Sequence, residues 1–168
     1  MRFLIPLLVV ATILQSLTLP GLTANGVRPD LALVLVVGWA WIRGWEEGVI
    51  AGAIGGLMID IASTTPFGIN IFRLTVLGLI AGLVMDRLAR TGAALPIAAG
   101  VGGCALAFVL TIVGLQAAGW TVDWERALTT TAIPSGVLTV LCMVAATPFF
   151  RAVERRIASD ELGPKRSE

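Results

Sequence analysis

Six apolar runs separated by short polar breaks take up most of this 168-residue chain: Phe3–Leu22, Leu31–Ile42, Val49–Ala62, Ile69–Met85, Leu95–Ala118 and Thr131–Phe150. In lipid such runs have to be helical, because a lone segment satisfies its own N–H and C=O groups only as a helix. More than half of the residues are apolar and the formal net charge is +1. That composition belongs to polytopic membrane proteins and offers no basic excess for nucleic acid. A straight crossing needs about 20 residues. The first, fifth and sixth runs reach that length. The second and third do so only if Pro29, Arg43–Gly48 and the flanking tryptophans join them; otherwise they form a helical hairpin partly buried in the bundle. The expectation is an all-α membrane protein, a polytopic bundle of six transmembrane helices over residues 1–150 with five as the alternative. A short charged cytoplasmic tail follows, residues 151–168.

Orientation follows from the bias of Lys and Arg toward the cytoplasm. With the N-terminus inside, the cytoplasmic set is Arg2, Arg43, Arg87, Arg90, Arg151, Arg155, Arg156, Lys165 and Arg166, while the outside loops hold only Arg28 and Arg126. Both termini are therefore expected in the cytoplasm. The first run, ending in Leu22-Thr23-Ala24, loosely resembles a signal peptide. Its length and the Leu three residues before the small-residue site favour an uncleaved helix; cleavage would leave five.

Two charges lie inside apolar runs, Asp60 in GGLMIDIAS and Arg73 in INIFRLTVLG. They flank one loop, so at about 1.5 Å per residue both sit about 5 Å below the same membrane face. A lone charge in hydrocarbon costs a few kcal/mol. The expectation is an ion pair between Asp60 and Arg73 that locks the third helix to the fourth. A proton or ion relay, a substrate ligand and a partner contact are the functional alternatives. The absence of deeper ionisable groups argues against a pump.

Gly48, Gly52, Gly56 and Asp60 form an i+4 series on one face of the third run. Small residues at that spacing let helix backbones approach closely. Gly78 and Gly82 repeat the pattern in the fourth run, and Ala98 with Gly102 in the fifth. Arg28-Pro29-Asp30 opens the second run, either as a helix start, with Pro in the first turn and a carboxylate at the positive helix end, or as a recognition element. Trp39, Trp41 and Trp45 read as an interfacial belt beside Glu46 and Glu47. Trp120 and Trp124 read as anchors at the opposite face. Pro66-Phe67-Gly68 is a turn signal.

Chemistry finds little footing. The chain has no His and two Cys, Cys104 and Cys142, whose spacing fits no metal or redox motif. No nucleophile–base set and no phosphate loop occur. No cofactor or metal is expected.

The order RPD, an apolar helix ending in RGWEEG, the run GVIAGAIGGLMID and then STTPFGINIF resembles the MreD family of rod shape-determining membrane proteins. Arg28, Pro29, Asp30, Gly52, Gly56, Asp60, Pro66 and Gly68 match the family motif. Thr and Phe replace the frequent Gly and Leu in the loop, and Arg73 is not assigned to a motif position. The rest of the chain agrees in layout alone. The resemblance implies a non-enzymatic component of bacterial cell elongation and lateral peptidoglycan synthesis. Its partners would be a bitopic MreC-like protein and, through it, the MreB filament, the glycosyltransferase RodA and a penicillin-binding transpeptidase. It also implies a fold similar to the substrate-binding subunits of energy-coupling-factor transporters. Arg28, Pro29, Asp30, Pro66 and Gly68 become partner-interface candidates, and the Gly-lined face a seat for a partner helix. The competing function is a transporter subunit that captures a small vitamin-type molecule near the outer face. That face offers Asn25, Arg28, Asn70, Trp120, Asp123, Trp124 and Glu125. Binding of a membrane lipid or lipid-linked precursor is a third reading.

Overall fold

The computed structural model describes residues 28–63, 66–88, 95–119, 121 and 123–161. Among these the chain is all-helical: α1 (Leu31–Arg43), α2 (Trp45–Ala62), α3 (Ile69–Leu88), α4 (Leu95–Ala117) and α5 (Ile133–Glu161). One α-helical turn, Trp124–Arg126, and a π-helical segment, Ala127–Ala132, lead directly into α5. Helices therefore stand at the second to sixth apolar runs. The first run, with its cleavage-like Leu22-Thr23-Ala24, lies outside the described residues. Among the described residues, two stretches are long and apolar enough to cross a membrane, Gly100–Ala117 and Ala127–Val153.

α1 is the centre of the bundle although it is short. Its 13 residues rise only about 20 Å, yet Ala32, Leu33, Val34, Val36, Val37, Gly38, Trp39 and Ala40 are all buried. A helix apolar on every side is covered by protein or by lipid, and here α2, α3, α4 and α5 all pack on it. This changes the reading of Trp39. It is buried, and its indole N–H donates to Glu47 Oε2 at 2.9 Å, so it is a core residue and not part of an interfacial belt; Trp45 is exposed.

Gly44 alone separates α1 from α2. Its φ of 82° is the left-handed conformation in which a Cβ is penalised. There its N–H still closes α1 by donating to Ala40 O at 2.9 Å, while its carbonyl accepts from Gly48 N–H at 3.1 Å. The break redirects the chain within a single residue, so α1 and α2 form a tight hairpin.

α2 and α3 touch backbone to backbone. A Cβ at Gly48 would meet Ala40 Cβ and the Gly78 carbonyl oxygen, each at 2.7 Å. One at Gly52 would collide with the Leu74 carbonyl, and one at Gly56 with Ile71 Cα. In return, Gly78 lies against the Gly48 carbonyl and Gly82 against Trp45 Cα. The partners descend on α3 as the glycines ascend on α2, so the two helices run antiparallel. Ala98 and Gly102 behave differently: both are exposed, and no described residue stands within 4 Å of a Cβ at Gly102.

The outer surface is apolar. Ile61 is 71 % exposed and Phe72 60 %, and Val101, Val109, Val137 and Leu141 also face outward. A contiguous apolar exterior on this scale suits hydrocarbon and not water. The chain is an all-α membrane protein in which, among the described residues, the short α1 is enclosed by α2, α3, α4 and α5.

Candidate functional site

The polar groups collect at one end of the bundle, where α1 and α3 begin, α2 and α4 end, and the π segment runs into α5. Asp30 is the N-cap of α1. Its Oδ1 accepts from Leu33 N–H at 3.0 Å, satisfying one of the orphan donors that every helix start carries. Pro29 therefore precedes the cap instead of occupying the first helical turn, and its carbonyl accepts from Leu31 N–H. The other carboxylate oxygen, Oδ2, meets Arg73 Nη2 at 2.9 Å.

Arg73 is thus placed on Asp30, and the Asp60–Arg73 pair expected from the sequence is replaced by two separate arrangements. Asp60 is 4 % exposed. Its Oδ1 accepts from Asn70 N–H at 3.2 Å and Asn70 Nδ2 at 2.9 Å. Its Oδ2 accepts from Gly68 N–H at 2.9 Å and Ile71 N–H at 3.2 Å. The physical reason lies in the turn. The chain leaves α2, reverses before Gly68 at φ 101° and starts α3 at the next residue, Ile69. The first N–H groups of α3 then face the end of α2, and a carboxylate there accepts them while meeting the positive end of the helix dipole. With its oxygens filled by four donors, Asp60 has no need of a cation.

α5 closes the same cluster. Asp30 N–H donates to Thr139 Oγ1 at 2.9 Å and Arg28 N–H to Ser135 Oγ at 3.1 Å. Thr139 in turn donates to Ser135 O at 2.7 Å. Sequence reading named Asn70 only among the polar groups of the outer face and did not single out Ser135 or Thr139. A hydroxyl in an apolar helix ordinarily bonds the carbonyl four residues back, and nothing in the local sequence marks the extra bond each of these hydroxyls accepts. Of the partner-interface candidates, Asp30 is engaged within the chain and Arg28 is exposed. Among the described residues, no three His, Cys, Asp or Glu side chains gather as a metal site.

The Arg73–Asp30 pair is expected to behave as a coupled unit. Both side chains are mostly buried, at 14 % and 19 % exposure. A double-mutant cycle with Asp30→Ala and Arg73→Ala, read by thermal unfolding in detergent, should give a coupling of about 1–2 kcal/mol. The same cycle with Asp60 and Arg73 should give a clearly smaller one.

Placed in order, the features are an Arg-Pro-Asp start to a buried helix, a glycine zipper and a carboxylate capping the next helix. The family model of the rod shape-determining protein MreD matches residues 1–153. The chain belongs to the MreD family. It is a rod shape-determining membrane protein, and the family is a structural one. Neither a curated protein nor a solved structure matches the chain. Asp30 and Asp60 serve as caps of the starts of α1 and α3, and Gly52 and Gly56 form part of the seam between α2 and α3.

Proposed function

We propose that this MreD-family chain is a non-enzymatic membrane scaffold of the bacterial cell-elongation complex. In this reading it holds an MreC-like bitopic protein, and through it the MreB filament, RodA and a penicillin-binding transpeptidase, at sites of lateral peptidoglycan synthesis. The observation that carries the reading is the family match over residues 1–153. The topology proposed with it is a single six-helix bundle in the cytoplasmic membrane, with both termini and the charged tail on the cytoplasmic side. Arg28 and Arg126 at one end of the helices and Arg43 and Arg151 at the other support that arrangement.

The Gly-lined face of α2 is not the partner's seat, because α3 fills it. Among the described residues, α4 leaves a surface open to a close approach at Ala98 and Gly102. Arg28 is the motif side chain exposed beside the membrane surface. Affinity purification of the tagged chain from native membranes should recover a bitopic MreC-like protein together with wall synthases. Gly102→Leu should lower that recovery roughly tenfold while leaving the chain's abundance unchanged. Recovery of a coupling subunit and ATPases instead would make the chain a transporter subunit and overturn the scaffold reading.

A further inference from the structure

Two cavities adjoin in this bundle, and their linings are chemically opposite. The first, about 500 Å³, lies at the Arg28 end and is lined by Arg28, Asp30 and Arg73 together with the hydroxyls of Thr131, Ser135 and Thr139. Two guanidiniums face one carboxylate there, so the lining carries a surplus positive charge. The Arg73 side chain is 14 % exposed, and among the described residues its Nε has no hydrogen-bond partner. Cationic side chains and hydroxyls that line one chamber together favour an anionic oxygen there.

The second cavity, about 530 Å³, is an apolar groove between α4 and α5. Its outward walls are Val101, Ala105, Val109, Val137 and Leu141, all exposed at the bundle surface. Cys104, Phe108, Ala132 and Gly136 line both cavities, so the groove opens from the cationic chamber toward the surrounding hydrocarbon. The π segment builds part of both walls, with Thr131 in the first and Leu128 in the second. Its wider turn, in which Ile133 N–H reaches back to Leu128 O, is a distortion that recurs at binding sites.

We propose that the chain binds a lipid phosphate, with the phosphate in the Arg28–Arg73 chamber and an alkyl chain along the groove between α4 and α5. A free anion would use only the chamber, and a neutral lipid only the groove. An amphiphile with an anionic head fits the pair, because charge-assisted hydrogen bonds fix its head while apolar burial holds its tail. The shared chemistry is a phosphate ester on a long hydrocarbon, whether a glycerophospholipid diester or a prenyl monoester.

Native mass spectrometry of the detergent-purified chain tests this directly. The probes are dioleoyl phosphatidylglycerol, farnesyl phosphate, dioleoyl phosphatidylcholine and glycerol 3-phosphate. The expected result is one phosphatidylglycerol or farnesyl phosphate retained per chain under conditions that strip phosphatidylcholine. The tighter of the two names the source class. Arg28→Gln, which removes the exposed head contact, and Ala105→Trp, which fills the groove from its lipid side, should each weaken retention roughly tenfold. Both positions are exposed, and unchanged melting of each variant establishes that it folds; Val137→Trp replaces Ala105→Trp if that variant melts early. The readout is lipid held by the isolated chain, so loss of a protein partner cannot imitate it. Equal retention of phosphatidylcholine, with no effect of the variants, overturns the proposal and leaves the groove to a partner's helix. Displacement of the lipid by glycerol 3-phosphate at equal concentration also overturns it, since the groove would then contribute nothing.

Discussion

Replacing Asp60 with alanine is expected to destabilise the bundle by about 3–5 kcal/mol, because several buried donors lose their acceptor together. The carboxylate takes hydrogen bonds from the backbone N–H groups of Gly68, Asn70 and Ile71 and from the Asn70 side-chain amide. At 4 % exposure water is in no position to replace it, and α3 would have to start with uncapped N–H groups in a low-dielectric setting. Asp60→Asn should fall between alanine and the parent: it keeps one acceptor oxygen but turns an NH₂ group toward donors. Thermal unfolding in detergent and the folded yield from membranes both read the effect. Simultaneous replacement of Arg73 by an apolar residue should bring no rescue, because its partner is Asp30. Rescue would show that Asp60 and Arg73 are paired after all.

A comparable loss is expected from Gly52→Leu. Even a single methyl at Gly52 collides with the Leu74 carbonyl of α3, and the second nearest atoms are also backbone. Overfilled cores commonly lose about 1–3 kcal/mol when flexible side chains can give way. Here the obstacle is a helix backbone, so α2 and α3 must separate along the whole seam that Gly48, Gly56, Gly78 and Gly82 share. The variant is expected to lose most of its folded yield, and Gly52→Ala to show an intermediate loss. Gly102→Ala serves as the control. No described residue lies within 4 Å of its added carbon, and gaining helix propensity at an exposed position should leave the melting temperature unchanged or slightly higher. Equal losses at positions 52 and 102 would mean that the α2–α3 seam does not set the stability.

The helices were legible in the sequence because apolar runs in this class permit little else. The glycine series was legible as well, since i+4 spacing puts Gly48, Gly52 and Gly56 on one face whatever the neighbour. The identity of that neighbour was not. Spacing says that a backbone approaches closely, and only the fold says that it is α3 and not a partner. Asp60 drew notice for its cost in an apolar run, but charge alone suggested a cation as its partner. The competing demand was local: a tight reversal places the unsatisfied N–H groups of α3 against the end of α2, and they claim the carboxylate first. Arg73 was then free to reach Asp30, more than forty positions earlier in sequence. The misreading of Trp39 has the same origin. A tryptophan near a run of charges suits an interface, and its burial depends on α1 being surrounded, which no local pattern encodes. Ser135 and Thr139 were invisible because their partners lie over a hundred residues away.

The long reach of those last two contacts bears on how the protein is made. α1 is central, yet the hydrogen bonds that hold its start come from α5, with sequence separations of 107 and 109 residues. When α1 leaves the ribosome, the residues that fasten Arg28 and Asp30 have not been synthesised. A 13-residue apolar helix is also too short to span the bilayer unaided. α1 and α2 are therefore expected to stay paired through Gly44 until α5 has been made and packs on α1. Chains truncated before Ser135 should consequently show a lower folded yield even though every residue of α1 to α4 is present.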